Sequence, residues 1–341
     1  MVLLCHFKHK IIIKGVDFLN NKDLNKAKVN CKDDFYTTLH DIEAELQYYN
    51  PSDFKDQIVY MNCDNPKKSN FWRFFHEHFS ELQLKKIIAT CKDEEDPQPF
   101  KFEYSGGNDL VLDCFEKTEL FGDDLFEPGD FMSPECVEIL KESDIVITNP
   151  PFSKFTDFIV GVTACHKKFI VIGNLNAVKY SVMLPQIMDN KIRVGASIHS
   201  GDRKFYVPDS YPLDAANCGY DELGNRFVNV KGVRWFTNLE HSGTNEFLVT
   251  GFSYYDNPEF YKIYDNYGYL NVDKTSQIPD DYYGIMGVPI SFIDRYNPEQ
   301  FQILGSTSKG LRMGDNWVKA SGGALINGEQ VYERLFIKRK S

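Results

Sequence analysis

The chain has 341 residues, 42% of them hydrophobic and 26% charged, and a formal net charge of −11. These values suit a globular protein of one large domain or two ordinary ones; no apolar run approaches the ~20 residues that cross a bilayer. Eight scattered cysteines without a C-x-x-C pair argue for reduced thiols in a cytoplasmic protein, and against a disulfide framework or a zinc site.

The first ten residues break their apolar run with charge, so no signal peptide is expected. His76 and His78 stand two apart on an expected helix and face different ways, so no metal is expected there. The acidic total is awkward for a partner of nucleic acid, but a local basic surface suffices. One candidate begins at Gly305 and carries Lys309, Arg312, Lys319, Arg334, Lys338, Arg339 and Lys340; an ordinary solvated tail explains those charges equally well.

In chain order, residues 1–30 read as a basic, loosely ordered arm. Asp34-Phe-Tyr-Thr37 follows, then a helix near 41–49 capped by Thr38 or Asp41. Ile58–Met61 is a strand and Asn62–Pro66 a turn. Ser69 caps an aromatic helix from Phe71 to Leu82. Lys86–Thr90 is a second strand, 91–99 a polar loop, and Leu110–Leu112 an edge strand. After Gly129-Asp130-Phe131, Ser133-Pro134 opens a helix to about Glu142, with proline at its favoured first position. Ile145–Thr148 is a buried strand. A helix from about Lys154 to Cys165 then presents Phe155, Phe158, Ile159 and Val162 to a core, and Phe169–Ile172 is another strand. Alternating helices and continuously apolar strands indicate a parallel, doubly wound sheet. Beyond residue 190 the pattern changes. Val194 and Val233–Phe236 lie in strands separated by a Gly/Asp/Asn/Pro-rich stretch, and the tyrosine-rich segment 252–296 reads as irregular α+β structure.

The most informative segment is Asn149-Pro150-Pro151-Phe152. Two prolines cannot donate to a sheet, so the strand stops there in a stiff turn. Open α/β sheets bind ligands at that end of their strands. The Asn149 side-chain oxygen and the Pro150 carbonyl are two acceptors for the hydrogens of an exocyclic amine, and Phe152 is a stacking face. Adenine N6 is a weak nucleophile because its lone pair is delocalised into the ring. Two acceptors drawing on its hydrogens favour a tetrahedral, attacking geometry, and alignment with an electrophilic methyl group provides most of the acceleration. A duplex base must be extruded to reach such a site. The alternative is a strand-terminating Pro-Pro turn without chemistry. Neither G-x-x-x-x-G-K nor G-x-G-x-x-G follows the first strand, which disfavours a nucleoside-triphosphate or dinucleotide enzyme.

This motif, with Asp34-Phe-Tyr-Thr37, Val59–Asp64, Ser69-Asn-Phe71, Gly129-Asp-Phe131, Gly173–Asn176, Trp235–Leu239, Tyr264–Tyr267, Gly287–Ile290 and Asn297–Phe301, resembles the γ-class adenine-N6 DNA methyltransferases, and closely their EcoRI-type members. The resemblance runs from about residue 25 to about 305. It implies a Rossmann-like methyltransferase sheet over 31–240, with a recognition insertion at about 198–231, and a C-terminal α+β target-recognition region over 241–341. It implies S-adenosyl-L-methionine as methyl donor, flipped adenine in double-stranded DNA as substrate, GAATTC as the first target to test, and a restriction endonuclease as genetic rather than physical partner of a monomeric enzyme.

Residue by residue, it places Asn149, Pro150, Pro151 and Phe152 at the catalytic turn. Phe35, Tyr36 and Thr37 fall over the methionine portion of the cofactor. Asn62 and Asp64 stand at the first-strand turn, where the family's usual glycines are missing. Asp93 occupies the ribose-binding position, and Asp130 the position that accepts from the cofactor's adenine amine, with Phe131 beside it. Arg203, Lys204, Arg226 and Arg234 flank the mouth and are candidates for DNA contact. Two readings compete: a methyltransferase for RNA adenine or protein glutamine, and a DNA-binding homologue without catalysis.

Overall fold

The computed structural model describes residues 35–93, 96–107, 116–120, 126–209, 211–213, 218–243, 246–320 and 324–341. The expected N-terminal arm and the expected strand at 110–112 lie outside these residues.

The described chain opens with β1 (Tyr36–Thr37) and α1 (Leu39–Leu46). Thr38 caps the helix, its hydroxyl oxygen accepting from Asp41 N at 3.2 Å. Next come β2 (Ile58–Met61), α2 (Asn70–Glu77), β3 (Lys86–Asp93), β4 (Asp96–Tyr104) and β5 (Glu116–Glu119). The polar stretch at 91–99 is therefore a correction to the expected loop. β3 continues to Asp93 and pairs antiparallel with β4, which begins at Asp96, because the backbone hydrogen bonds of the ladder outweigh the polarity of its side chains. Then follow α3 (Pro134–Glu142), β6 (Ile145–Thr148), α4 (Phe155–Ala164), β7 (Lys168–Asn174) and α5 (Leu184–Met188). The strands β8 (Arg193–Val194), β9 (Asp202–Tyr206), β10 (Cys218–Tyr220), β11 (Arg226–Lys231) and β12 (Val233–Thr237) complete this half.

The central sheet has eight strands in the order β5-β4-β3-β2-β6-β7-β12-β8. Neighbours among β3, β2, β6 and β7 run parallel, and β12 lies antiparallel between β7 and β8. β2 and β6 are buried along their whole length, as strands covered on both faces must be. On α4 the side chains of Phe155, Phe158, Ile159 and Val162 are buried, the face its spacing predicts.

Strands β9, β10 and β11 of the Gly/Asp/Asn/Pro-rich stretch join β1 in an antiparallel sheet, β1-β9-β11-β10. Its first strand comes from the other end of this half: Tyr36 pairs with Tyr206 and Thr37 with Phe205. Buried Glu45 on α1 makes a second tie of this kind. Its carboxylate accepts from Tyr49 Oη at 2.9 Å, Ala196 N at 3.0 Å and Ser197 N at 2.8 Å.

C-terminally, β13 (Lys262–Ile263), β14 (Leu270–Asn271), β15 (Ile285–Pro289), β16 (Phe301–Ser306), β17 (Gly310–Met313), β18 (Asn316–Val318), a small ribbon of β19 (Leu325–Ile326) and β20 (Glu329–Gln330), and β21 (Arg334–Arg339) follow. Seven of them form a mostly antiparallel sheet, β13-β14-β15-β21-β16-β17-β18. Its residues Met286, Val288, Phe301, Ile303, Leu335 and Ile337 share one apolar core with Phe155, Phe158 and Ile159 of α4. The two halves thus bury a common surface. Among the described residues no helix is long and apolar enough to cross a membrane, and no cluster of side chains is arranged to hold a metal ion.

Candidate active site

β2 and β6 are neighbouring parallel strands, in register through Val59 with Ile145 and Tyr60 with Val146. The turns that leave their carboxyl ends, 62–69 and 149–154, therefore lie side by side, at the crevice where such sheets bind ligands. Pro150 and Pro151 end β6, and a single 3-10 turn, Phe152–Lys154, leads into α4.

Asn149 is only 9% exposed. Its Nδ2 donates to the Phe35 carbonyl at 2.7 Å, which fixes the orientation of the amide. The other arm, Oδ1, is buried and has no hydrogen-bond partner. A buried orphan acceptor costs on the order of 1–3 kcal/mol, so its retention beside a stiff turn marks a place where a donor is to be received. Pro150 is buried, while Pro151 and Phe152 are partly exposed.

The Phe152 ring sits 5.7 Å from Phe35 in edge-to-face contact, and 6.4 Å from Phe205. Phe35 also contacts Phe205 at 5.6 Å and Tyr211 at 5.9 Å. This aromatic wall joins the motif, the strand β1 and the 199–231 sheet. Thr37 Oγ1 on β1 is a second buried polar atom without a partner, and the Thr37 carbonyl accepts from Asn70 Nδ2 at 2.7 Å.

The turn after β2 closes without glycine. Asn65 accepts through its side chain from Lys67 N at 3.0 Å and through its carbonyl from Lys68 N at 2.9 Å and Ser69 N at 2.7 Å. Among the described residues with positive φ, none lies in this turn, so no position in it demands glycine. Asn62 is buried, with the Cys63 thiol 4.0 Å from its Oδ1. Asp64 is 6% exposed; it accepts from Ser69 Oγ at 2.8 Å and from Thr148 Oγ1 at 2.5 Å. Burial pushes its carboxyl up to about 6, against the pull of hydrogen bonds from Thr148, Ser69 and the Asn149 N–H.

Asp130 Oδ2 accepts from Lys154 Nζ at 2.7 Å, and Oδ1 from Met132 N at 2.9 Å. Lys154 also lies over the buried Phe131 ring, 5.7 Å from its centre. This links the Gly-Asp-Phe element to the residue that opens α4. The backbone of Asp93 pairs with Asp96 beyond an irregularity in the ladder; its side chain is outside the description.

Of the basic candidates, Arg203 and Lys204 are adjacent on β9. The Arg203 guanidinium lies 3.8 Å from the Asp41 carboxylate, and exposed Lys204 lies 4.5 Å over the Phe227 ring. Arg226 donates to Tyr220 Oη at 3.1 Å and to the Tyr211 carbonyl, which ties Tyr211 to β11. Arg234 departs from the expected DNA contact. It is 4% exposed, and it forks onto Asp294 with two 2.7 Å bonds. Two further donors go to the Val233 carbonyl at 2.6 Å and the His199 carbonyl at 2.9 Å. This ion pair fastens the central sheet to the segment before β16 and shows nothing to a nucleic acid.

A cleft of about 290 Å³ opens beside β1, lined by Tyr36, Lys68, Asn70, Tyr206, Pro208 and Asp209 among others. A larger one, about 420 Å³, lies at the β8 edge beside Arg193, Glu240 and His241. Since β12 runs antiparallel to β7, residues beyond its end lie at the amino ends of the parallel strands, away from the motif. Sequence reasoning missed Phe205, Tyr211, Asn70 and Thr148. The first two sit in a stretch without periodicity, and the last two act through single polar contacts that no pattern announces.

The chain matches, over residues 23–340, the family described as Adenine-specific methyltransferase EcoRI. It is 40% identical to Type II methyltransferase M.EcoRI of Escherichia coli, over 94% of this chain and 97% of that protein. It is 34% identical to Type II methyltransferase M.MgeORF184P of Mycoplasma genitalium, over 93% and 98%, and 33% identical to Type II methyltransferase M.MpnI of Mycoplasma pneumoniae, over the same shares. No solved structure matches. With its Asn-Pro-Pro-Phe turn at the carboxyl end of a parallel strand, the chain belongs to the EcoRI-type family of adenine-specific methyltransferases.

Proposed function

We propose that the protein is a site-specific DNA methyltransferase that moves a methyl group to N6 of an adenine flipped from duplex DNA. The observation that carries this reading is the buried, unpartnered Asn149 Oδ1 at a Pro-Pro turn. An adenine amine seated there gives that oxygen its missing donor, while the adjacent Pro150 carbonyl takes the second hydrogen. Asn149 cannot rotate away, because its Nδ2 is held by Phe35. Phe152, braced by Phe35 and Phe205, offers the flipped base a stacking face. The site thereby holds the nitrogen in an attacking geometry, and orientation supplies the acceleration.

S-adenosyl-L-methionine fits as methyl donor. Four parallel neighbours, β3, β2, β6 and β7, followed by β12 antiparallel between β7 and β8, suit a Rossmann-like methyltransferase sheet. Thr37 Oγ1 is a buried polar atom left for a ligand. Phe35, Tyr36 and Thr37 with the turn that begins at Asn62 would hold its methionine end, and Asp93, Asp130 and Phe131 its nucleoside end. When bound, it supplies an electrophilic sulfonium methyl. Arg203 and Lys204 on β9 and Arg226 on β11 fit phosphate or base-edge contacts, and the C-terminal sheet fits target recognition. The family relation favours the protective half of a restriction–modification pair, acting as a monomer. RNA adenine and protein glutamine are second readings that no contact described here favours.

Sequencing DNA from cells that express the chain, with a readout of N6-methyladenine, tests this. One methylated motif with the wild type and none with Asn149→Ala supports it; unmodified DNA from an expressed, folded wild type refutes it.

A further inference from the structure

We propose that Asp64 is a positioning residue that holds the catalytic turn, not a ligand of the cofactor's amino-acid end. The inference rests on the methyltransferase reading above and concerns how Asn149 is kept in place. Asp64 lies in the turn after β2, yet its contacts reach across to β6. One carboxylate oxygen accepts from Ser69 Oγ at 2.8 Å, the other from Thr148 Oγ1 at 2.5 Å, and the neighbouring Asn149 N–H favours the ionised carboxylate.

Each donor has a place in the machinery. Ser69 is the N-cap of α2, its oxygen accepting from Phe71 N at 3.1 Å and Trp72 N at 3.3 Å. Thr148 is the last residue of β6. Pro150 and Pro151 have no N–H, so the Asn149 N–H is the last main-chain donor before Phe152. Asp64 thus fixes the end of β6 at Thr148, the residue before Asn149, while the Phe35 carbonyl fixes the Asn149 side chain at 2.7 Å. Between these two anchors, Asn149 Oδ1 is buried and left without a partner. Being 6% exposed and with both carboxylate oxygens already engaged by protein hydroxyls, Asp64 has little left to offer a bound molecule.

The groups facing Asp64 are two hydroxyls and an amide, and Lys67 and Lys68 of its own turn are exposed. Its carboxyl is pushed up to about 6 by burial. Protonation turns one acceptor into a donor, and the clamp on Thr148 or Ser69 is lost.

The test uses the full chain, S-adenosylmethionine and a duplex containing the methylated motif, with Asp64→Asn, Thr148→Val and Thr148→Ser variants. Asp64→Asn and Thr148→Val are expected to lower kcat by up to ~100-fold, the cost of moving a catalytic group by ~1 Å. KM and equilibrium affinity for S-adenosylmethionine stay within ~3-fold, the pattern of a contribution made only at the transition state. Thr148→Ser, which keeps the hydroxyl, restores kcat, and the double variant loses no more than the worse single one. The acid limb of the wild-type kcat profile, near pH 6, disappears in Asp64→Asn. A tenfold weaker S-adenosylmethionine affinity in Asp64→Asn with unchanged kcat overturns the proposal, as does a Thr148→Val enzyme that turns over like wild type. If Asp64→Asn does not fold, the Thr148 pair decides alone. A wild type that transfers no methyl group would instead refute the underlying reading, and the proposal with it.

Discussion

Replacing Asn149 by alanine separates the cost of the site to the fold from its value to the reaction. In the free protein Asn149 contributes one hydrogen bond, Nδ2 to the Phe35 carbonyl at 2.7 Å, worth about 0.5–1.5 kcal/mol net. It also buries Oδ1 without a partner, at a cost of about 1–3 kcal/mol. The two effects oppose each other, so Asn149→Ala should fall between about 0.5 kcal/mol less stable and about 2.5 kcal/mol more stable than wild type. The reaction loses much more. Removing one preorganised partner of a developing charge typically lowers kcat by ~10²–10³-fold, or about 2.7–4 kcal/mol. Denaturant unfolding followed by tryptophan fluorescence gives the first quantity, and single-turnover methyl transfer to duplex DNA the second. A variant within threefold of wild-type kcat would refute the assigned role, because the orphan oxygen would then have no function. A variant that loses several kcal/mol of stability would show that Asn149 serves the fold instead.

Phe152→Ala should weaken the complex with an extruded base by ~1–3 kcal/mol, as for other aromatic stacking platforms, read as affinity for a duplex mismatched at the target; unchanged affinity would count against stacking. Arg234→Ala leaves Asp294 buried without its partner and should destabilise the fold by about 3–5 kcal/mol, while DNA affinity per folded molecule stays constant; a loss of DNA affinity without loss of stability would contradict the structural assignment. Asp64 carries a sign as well as a size. Its folded carboxyl lies at about 6, above the ordinary 3.8, so the folded chain holds the proton more tightly than the unfolded one. Its contribution is complete below about pH 4 and is lost as pH rises through about 6, by about 3 kcal/mol in all. The stability of wild type relative to Asp64→Asn should therefore fall from pH 4 to pH 7, and a rising difference would invert the argument.

Local signals in the sequence located much of the architecture. The parallel strands β2, β6 and β7 are short apolar runs bounded by turn residues, and the caps Thr38, Ser69 and Ser133 stand where helices begin. The catalytic turn was legible because proline acts locally and always in the same way. Contacts between distant segments were not. Nothing in Tyr36-Thr37 says that it pairs with Phe205 and Tyr206, and Glu45 reads as an ordinary helix-surface acid although it is fully buried by the backbone of residues 196 and 197. Arg234 misled for the same reason, since its partner Asp294 is 60 residues away and charge alone suggested a phosphate. The missing glycines after β2 looked like a defect in the cofactor turn. The structure closes that turn with Asn65 and hands its carboxylate, Asp64, to the neighbouring strand.

The most direct measurement is the chemical identity of the product. Duplex DNA is incubated with the purified chain and isotopically labelled S-adenosylmethionine, then digested to nucleosides and separated by mass. Label in N6-methyldeoxyadenosine with wild type, and its loss with Asn149→Ala, is the predicted result. Label in cytosine, in RNA or in protein, or none at all, would contradict the claim that the Asn149–Phe152 turn receives an adenine amine.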